Sequence, residues 1–296
     1  MIKARKVKRL EWLTRMKDAL DYIEEHMEEP ISASDIAKVA SSSTFHFQRM
    51  FHMLTGMTVA EYIRKRRLTL AAQELAISSS KVLDTSLKYG YDSPESFAKA
   101  FRKLHGISPS EAREPGVNLK AFPRISFHLS LKGDQDMDYR IVEKAGFTVV
   151  GKSIQVSMKD GENFRAIPAF WEQSNSDGTT DELMALREDG VTLGICMAVT
   201  DDPDQLTYMI AAESEKDAAA SDDFITYEVP ASTWAVFPVV GPMPGAIQDV
   251  WQRIFQEWFP ATGYEHADAP ELEVYPPGDP TAEDYRTEVW IPIMKK

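Results

Sequence analysis

The sequence predicts two domains of unlike class: an all-helical domain over 1–115 and an α+β domain over 137–296, joined by a linker at 116–136. Three observations carry this. The first is an internal repeat. Phe47/Phe97, Phe51/Phe101, Leu54/Leu104, Gly56/Gly106 and Glu61/Glu111 are identical at one constant offset. The second is a reversal of charge. Through Pro115 there are 19 Lys and Arg against 15 Asp and Glu, and from Gly116 onward 14 against 31. The first segment can approach a polyanion and the second repels one. The third is a change of apolar period, from helical spacing before the Glu114–Gly116 turn to alternation and short β-branched runs after it.

Composition narrows the class further. A length of 296 residues with 43% hydrophobic content supports about two packed cores. No apolar run is long enough for a membrane span, and the basic start, Lys3–Arg9, has no apolar stretch behind it. The single Cys196 excludes an intrachain disulfide, and the six histidines form no HxH or HxxxH pair. A cytoplasmic protein without a metal site or a cofactor is the expectation. The basic start reads equally as a DNA-touching arm or as disordered chain.

In the first domain, Leu10, Leu13, Met16, Leu20, Ile23 and Met27 form one apolar side of a helix that Pro30 stops. Ser32 or Ser34 caps a short helix over Asp35–Ala40, with Asp35 near its positive end. After a turn at Ser41–Ser43 comes a helix from Phe45 to Leu54, closed by Gly56. Its buried stripe is Phe47, Met50, Phe51 and Leu54, and Phe45, Gln48, Arg49 and His52 form the opposite, outward stripe. Thr58–Ala76 makes a longer helix of roughly 28 Å that carries Arg64–Arg67, a block that reads either as phosphate contacts or as a solvated face. The second copy follows, with Val82–Tyr89, a turn at Gly90, and a helix capped by Ser93 and ended by Gly106 and Pro109. Its inward stripe is Phe97, Ala100, Phe101 and Leu104, and its outward stripe is Glu95, Ala98, Lys99 and Arg102. Helix, tight turn and helix with a polar outer face is the helix-turn-helix plan, here present twice.

These residues carry a resemblance. Ile36-Ala37, the Phe51-x4-Gly56 ending, and Gly90-Tyr91-x-Ser93-x3-Phe97-x3-Phe101-x4-Gly106-x2-Pro109-Ser110-Glu111 are similar to the DNA-binding domain of AraC/XylS-type transcriptional regulators. The likeness covers about Ile23 to Arg113. One departure is Thr85-Ser86, where the family has an apolar residue followed by alanine, which implies a looser second unit. The resemblance implies base contacts from Phe45, Gln48 and Arg49 in the first unit and from Glu95 and Lys99, with Ser96 beside them, in the second. Periodicity adds His52 and Arg102 to those faces. The chemistry agrees: Arg suits guanine O6/N7, Gln suits adenine N6/N7, and Phe contacts a thymine methyl. His46 and His105 read as packing or surface residues.

In the acidic domain, Tyr139–Val142 and Phe147–Val156 read as strands, Asn163–Ser174 as a helix, and Thr192–Thr200 and Leu206–Glu213 as strands. A second round follows: strands Ile225–Val229 and Thr233–Val240, helix Ala246–Trp258, strands Glu271–Tyr275 and Tyr285–Ile293. A duplicated β-β-α-β-β arrangement gives an antiparallel sheet with pseudo-two-fold symmetry, and a cleft between such halves is a natural small-molecule site. Trp251 and Trp258, a heptad apart, read as core.

Trp251-x5-Glu257-Trp258, Glu271-x-Glu273-x-Tyr275 and Glu288-x-Trp290-Ile291-Pro292 resemble the gyrase-inhibitor-like (GyrI-like) effector-binding domain. That resemblance implies a glutamate at the bottom of an aromatic pocket, and Glu288 is the residue matched to it. Glu288 and Trp290 share a face of their strand. Trp171, Tyr208, Tyr275 and Trp290 are the candidate walls, toward a hydrophobic or cationic effector. The whole then reads as a one-component regulator of double-stranded DNA, its effector altering DNA binding or contact with RNA polymerase. Two alternatives stand beside it. One is a small-molecule hydrolase with Glu288 as general base and Tyr208 or Tyr275 assisting, and the other is a drug-sequestering module. No G-x-S-x-G or Cys/His pair supplies a nucleophile, which favours binding over catalysis and leaves no catalytic residue to name.

Overall fold

The structure is a computed structural model that describes residues 2–126, 136–158, 161–199, 202, 205–214 and 223–295, with side chains from Thr14 onward. Residues 127–135 of the expected linker, with His128 among them, Thr200, and the side chains of Lys3–Arg9, Leu10 and Leu13 lie outside the described residues. The chain forms two compact units. One is Glu11–Phe47 with Thr58–Ser130. The other is Met1–Leu10 and Gln48–Met57 with Leu131–Lys296. The division thus departs from the expected boundaries of 1–115, 116–136 and 137–296, because Gln48–Met57 packs with the second segment. No helix among the described residues is long and apolar enough to cross a membrane.

The helical elements run α1 (Ile2–Glu25), α2 (Ala33–Val39), α3 (Thr44–Thr55), α4 (Val59–Ile77), α5 (Val82–Lys88) and α6 (Pro94–His105). Capping sets their starts. Ser32 accepts from Asp35 N at α2, Thr58 and Glu61 form a reciprocal capping box at α4, and Ser93 accepts from Ser96 N at α6. Gly106 closes α6 at φ 82, a left-handed position where a side chain is strained. Leu68, Ala71, Ala72 and Leu75 of α4 form one core with Tyr89, Phe97, Phe101 and Ala112. His105 belongs to that core, its Nε2 3.1 Å from Leu68 O. Thr85 and Ser86 are fully buried, and Ser86 Oγ donates to Leu83 O at 2.7 Å. The polar pair at the expected weak point is packed inside, with Thr85 Oγ1 buried and without a hydrogen-bond partner among the described residues.

Two members of the Arg64–Arg67 block, Arg66 and Arg67, are taken up by contacts within the helical unit. Arg66 donates to both Glu24 oxygens, at 2.8 and 2.7 Å, and to Phe122 O at 2.8 Å. Arg67 donates to Met27 O at 2.8 Å and packs against Gly90, where a Cβ would come within 2.6 Å of its Nη1. These two arginines tie α4 to the end of α1. The first part of the expected linker is also structured. Phe122 N donates to Thr69 Oγ1 at 3.0 Å, Ile125 N to Tyr62 Oη at 3.3 Å, and Lys65 lies 5.5 Å from the Phe122 ring centroid. Its apolar residues dock on α4 instead of remaining in solvent.

The second unit holds β1 (Arg140–Lys144), β2 (Phe147–Ser157), α7 (Asn163–Ser176), α8 (Thr179–Ala185), β3 (Thr192–Ala198) and β4 (Gln205–Glu213). The second round is β5 (Ile225–Val229), β6 (Ser232–Val240), α9 (Gly245–Arg253), a π-turn over Ile254–Trp258, α10 (Phe259–Ala261), β7 (Tyr264–His266), β8 (Glu271–Tyr275) and β9 (Arg286–Lys295). The strands form one antiparallel sheet in the order β1-β6-β9-β8-β3-β4-β2-β5, with β7 on β9. The halves exchange their first strands: β1 pairs with β6 and β5 with β2. They meet at the β3–β8 ladder. One face of the sheet carries the apolar cluster of Leu193, Ile195, Met209, Trp234, Val236 and Leu272. Residues of opposite parity face the other way. The expected β-β-α-β-β duplication is present, with α8 and the short β7 added to it.

Removing Arg66 leaves Glu24 without its partner in a poorly solvated place, at a cost of roughly 3 kcal/mol. Burial raises the Glu24 carboxyl, but hydrogen bonds from Arg66 and Tyr62 bring it below its ordinary range. Arg66→Ala therefore lowers the urea midpoint of the helical unit at pH 7. The loss shrinks as pH falls through the lowered Glu24 value, where protonation dissolves the pair in wild type and removes the stranded charge in the variant.

Candidate functional site

The site grows from the alternation of β8. Glu271, Glu273 and Tyr275 point to one side of the sheet, and Leu272 and Val274 to the other. Antiparallel register sets Cys196, Gly194 and Thr192 of β3 beside those three residues. Gly194 is required there, since a Cβ would collide with Tyr208 Oη and lie 2.8 Å from Glu273 Oε2. In the space so left, Tyr208 Oη donates to Glu273 Oε2 at 2.6 Å and Tyr275 Oη to the same oxygen at 3.1 Å. Trp251 Nε1 donates to Oε1 at 2.8 Å. Trp171 Nε1 in turn donates to Tyr208 Oη at 2.9 Å, and its ring meets Tyr275 edge-on at 4.8 Å. Burial, and then the Glu273 charge, push both tyrosine hydroxyls well above their ordinary range, so they stay protonated donors.

Above this floor lies a cavity of about 770 Å³. Ile167 and Trp171 of α7, Met184 of α8, Ile247 and Trp251 of α9, and Tyr285 line it, with Glu273 at its base. Its volume suits a drug-sized molecule, and its lining joins aromatic and aliphatic side chains with a polar side that includes Asn163, Glu172, Asn175 and Asp181. Glu273 is only 7% exposed. Three donors satisfy its lone pairs, and among the described residues no cation pairs with it. A buried carboxylate so placed attracts positive charge.

Its neighbour Glu271, fully buried, has such a partner. Arg49 Nε of α3 forms an ion pair with Glu271 Oε2, and Arg49 Nη2 lies 3.7 Å from Cys196 Sγ. The Arg49 guanidinium carbon sits 4.6 Å from the Trp251 ring centroid, and Arg49 and Met53 line the cavity. On the far side, His266 Nε2 is 3.2 Å from Glu271 Oε1. Burial raises the Glu271 carboxyl, but the Arg49 charge and the His266 hydrogen bond overcome this and leave it below its ordinary range. Burial also pushes the Cys196 thiol up and keeps it neutral. Among the described residues no cluster of His, Cys, Asp and Glu is arranged for a metal.

The structure sorts the predicted site residues. Trp171, Tyr208 and Tyr275 meet at the cavity, Tyr208 from beneath the floor. Glu288 and Trp290 do not. Register pairs Val274 with Glu288 and Leu272 with Trp290, so both face the apolar cluster side. Glu288 accepts from Arg140 Nη2 at 2.8 Å with both oxygens and from Trp290 Nε1 at 2.9 Å. The carboxylate at the pocket base is Glu273, and the general-base role considered for Glu288 loses its tyrosine partners to Glu273. Trp251 is buried as expected and is also a cavity wall, while Trp258 packs on Phe237 and Tyr139. The π-turn after Arg253 breaks the heptad relation between the two rings.

On α6, Glu95, Ser96, Lys99 and Arg102 are exposed as expected. On α3, the outward stripe is not outward. Gln48, Arg49 and His52 are 5%, 4% and 1% exposed, and Phe45 is half-buried. The His52 ring stacks on Phe164 at 5.2 Å.

The GyrI-like small molecule binding domain family matches residues 137–294, and the helix-turn-helix domain family HTH_18 matches residues 36–115. The HTH-type transcriptional activator AarP of Providencia stuartii is 42% identical over 95 residues, which are 32% of this chain and 70% of that protein. The right origin-binding protein of Escherichia coli K12 is 37% identical over 95 residues, 32% of this chain and 33% of that protein. This chain thus matches about a third of the latter's length. The solved structure of SAV2435 bound to tetraphenylphosphonium is 25% identical, covering 53% of this chain and 94% of that one at a TM-score of 0.48.

Gly194→Ala drives a methyl group into the Tyr208–Glu273 bond. It costs roughly 1–3 kcal/mol and shifts the Trp251 emission, read by urea unfolding and fluorescence. A pH effect follows from His52, whose pKa is brought down from 6.5 to about 4 by burial and then by the Arg49 charge. The folded unit prefers neutral His52, so its full stability is present above pH 6.5 and falls as pH drops toward 4. Glu271, depressed, loses its contribution in the same direction. The denaturation midpoint is therefore lower at pH 5 than at 7.5, and His52→Leu flattens that slope.

Proposed function

Because the chain belongs to the AraC-type regulators and carries a GyrI-like small molecule binding domain, we propose that it is a one-component transcription regulator whose effector is a lipophilic monocation. The observation that carries the ligand class is Glu273: a buried carboxylate with three neutral hydrogen-bond donors, no direct ion-pair partner among the described residues, Arg49 being paired with Glu271 instead, and aromatic walls. A hydrophobic cation desolvates at modest cost, replaces the missing charge, and gains about 0.5–2 kcal/mol from a well-placed aromatic face. A neutral ligand would add no charge opposite Glu273.

The DNA side rests on the double helix-turn-helix. Glu95, Ser96, Lys99 and Arg102 stand on the exposed face of α6, with types suited to base edges and phosphates. For α3 the proposed readers are Phe45, Gln48, Arg49 and His52. Binding rather than catalysis is the reading for the cavity, since the tyrosines spend their protons on Glu273 and so hold a charge in place. AarP is named a transcriptional activator, which agrees with a regulator.

Tryptophan-fluorescence titration tests the site, with tetraphenylphosphonium and a set of uncharged dyes as probes. Wild type and Glu288→Gln bind the cation alike, and Glu273→Gln binds it at least about tenfold more weakly. Equal binding by Glu273→Gln, or a loss confined to Glu288→Gln, would discard the assignment.

A further inference from the structure

Binding at Glu273 leaves one arrangement unexplained. The α3 side chains suited to base edges are shut away from any groove, and one of them is a wall of the cavity. Arg49 forms its ion pair with Glu271, two residues from Glu273 on the same face of β8. Its guanidinium lies over Trp251, the same indole whose Nε1 holds Glu273. Resting on the cation reading of the cavity, we propose that Arg49 is a built-in occupant of the cation subsite on Trp251, which a cationic effector displaces, freeing α3 to read DNA.

Three observations support a competition. The first is geometry: a cation drawn by Glu273 toward the Trp251 face meets Arg49 already there. The second is charge. Two like charges several ångströms apart in a poorly solvated cavity repel far more than in water, so an incoming cation destabilises Arg49 where it stands. The third concerns what Arg49 leaves behind. Glu271 still has His266 Nε2 3.2 Å from Oε1, an ion-pair partner whenever the imidazole is protonated, so departure of the guanidinium leaves the carboxylate a neighbouring nitrogen. The burial of Gln48 and His52 beside Arg49 extends the effect along α3. With these side chains inside, the first helix-turn-helix makes none of their base contacts. Displacing Arg49 couples the two ligands, and the coupling is reciprocal.

The test uses the full chain and tetraphenylphosphonium. The double variant Arg49→Ala/Glu271→Gln removes one positive and one negative charge, so the net charge at the cavity stays as in wild type. It also leaves neither member of the Arg49–Glu271 pair behind as a stranded charge. Loss of the competitor then makes cation binding about tenfold tighter. For the DNA arm, the probe is a duplex enriched from a random library by wild type with the cation present. Adding the cation tightens wild-type binding to that duplex about tenfold, and Glu271→Gln, which keeps Arg49 but frees it, binds as tightly without the cation. If wild type binds the cation and Glu273→Gln does not, yet the double variant binds as wild type does, the Arg49 inference is overturned and the cavity reading stands. Unchanged DNA affinity on adding the cation overturns it as well. Failure of all proteins to bind the cation overturns both.

Discussion

A carboxylate removed from water must be met by donors or by a counter-charge, and the sheet unit is arranged around two that are met differently. Glu273 is held by three neutral donors and Glu271 by a guanidinium. Much of the local sequence serves these two groups. Gly194 is small because the Tyr208 hydroxyl must pass it. Trp171 steadies that hydroxyl from the other side. Thr192, Gly194 and Cys196 share the face because antiparallel pairing sets them beside β8. Neutral donors meet the Glu273 oxygens without adding a positive charge, which is the condition for attracting a cation.

The same alternation explains why the opposite face of the sheet is chemically quiet. Leu272, Val274 and Trp290 join an apolar cluster there. The charges at its margin, Arg140 with Glu288 and Lys144 with Glu213, are paired. One strand thus presents an acidic side to a cavity and an oily side to a core, with a single residue of offset separating the two.

Much of this was legible in the sequence. The repeat at constant offset located both helix-turn-helix units, because helical periodicity reports burial locally. The duplicated strand and helix pattern was legible for the same reason. The carboxylate was not. Glu271-x-Glu273-x-Tyr275 stood out as a pattern, yet choosing between Glu273 and Glu288 needed the register of β8 on β9, a long-range fact that periodicity within one strand does not contain. Trp251 is buried as its heptad position indicated, but its place on the cavity was not legible, because that depends on the Glu273 side of the sheet. The burial of Arg49 had no local signal, since its partner lies 222 residues away. The Arg66–Glu24 pair was hidden in the same way: a run of basic residues states charge, and only tertiary structure states where that charge goes.

The exchange of first strands between the halves bears on how the chain is made. β1 finds its partner in β6 and β2 gains its outer neighbour in β5, so neither half is a finished sheet by itself. During synthesis, β2 and β4 can pair soon after Glu213 emerges, but the outer edge of β2 stays bare until Val229 has followed. A bare edge is a template for unwanted pairing, and closing it across a long sequence separation is slow. A duplicated architecture of this kind is indivisible. Its two copies arise as repeats, yet each carries the other's margin, and a nascent chain is exposed to aggregation until both have left the ribosome.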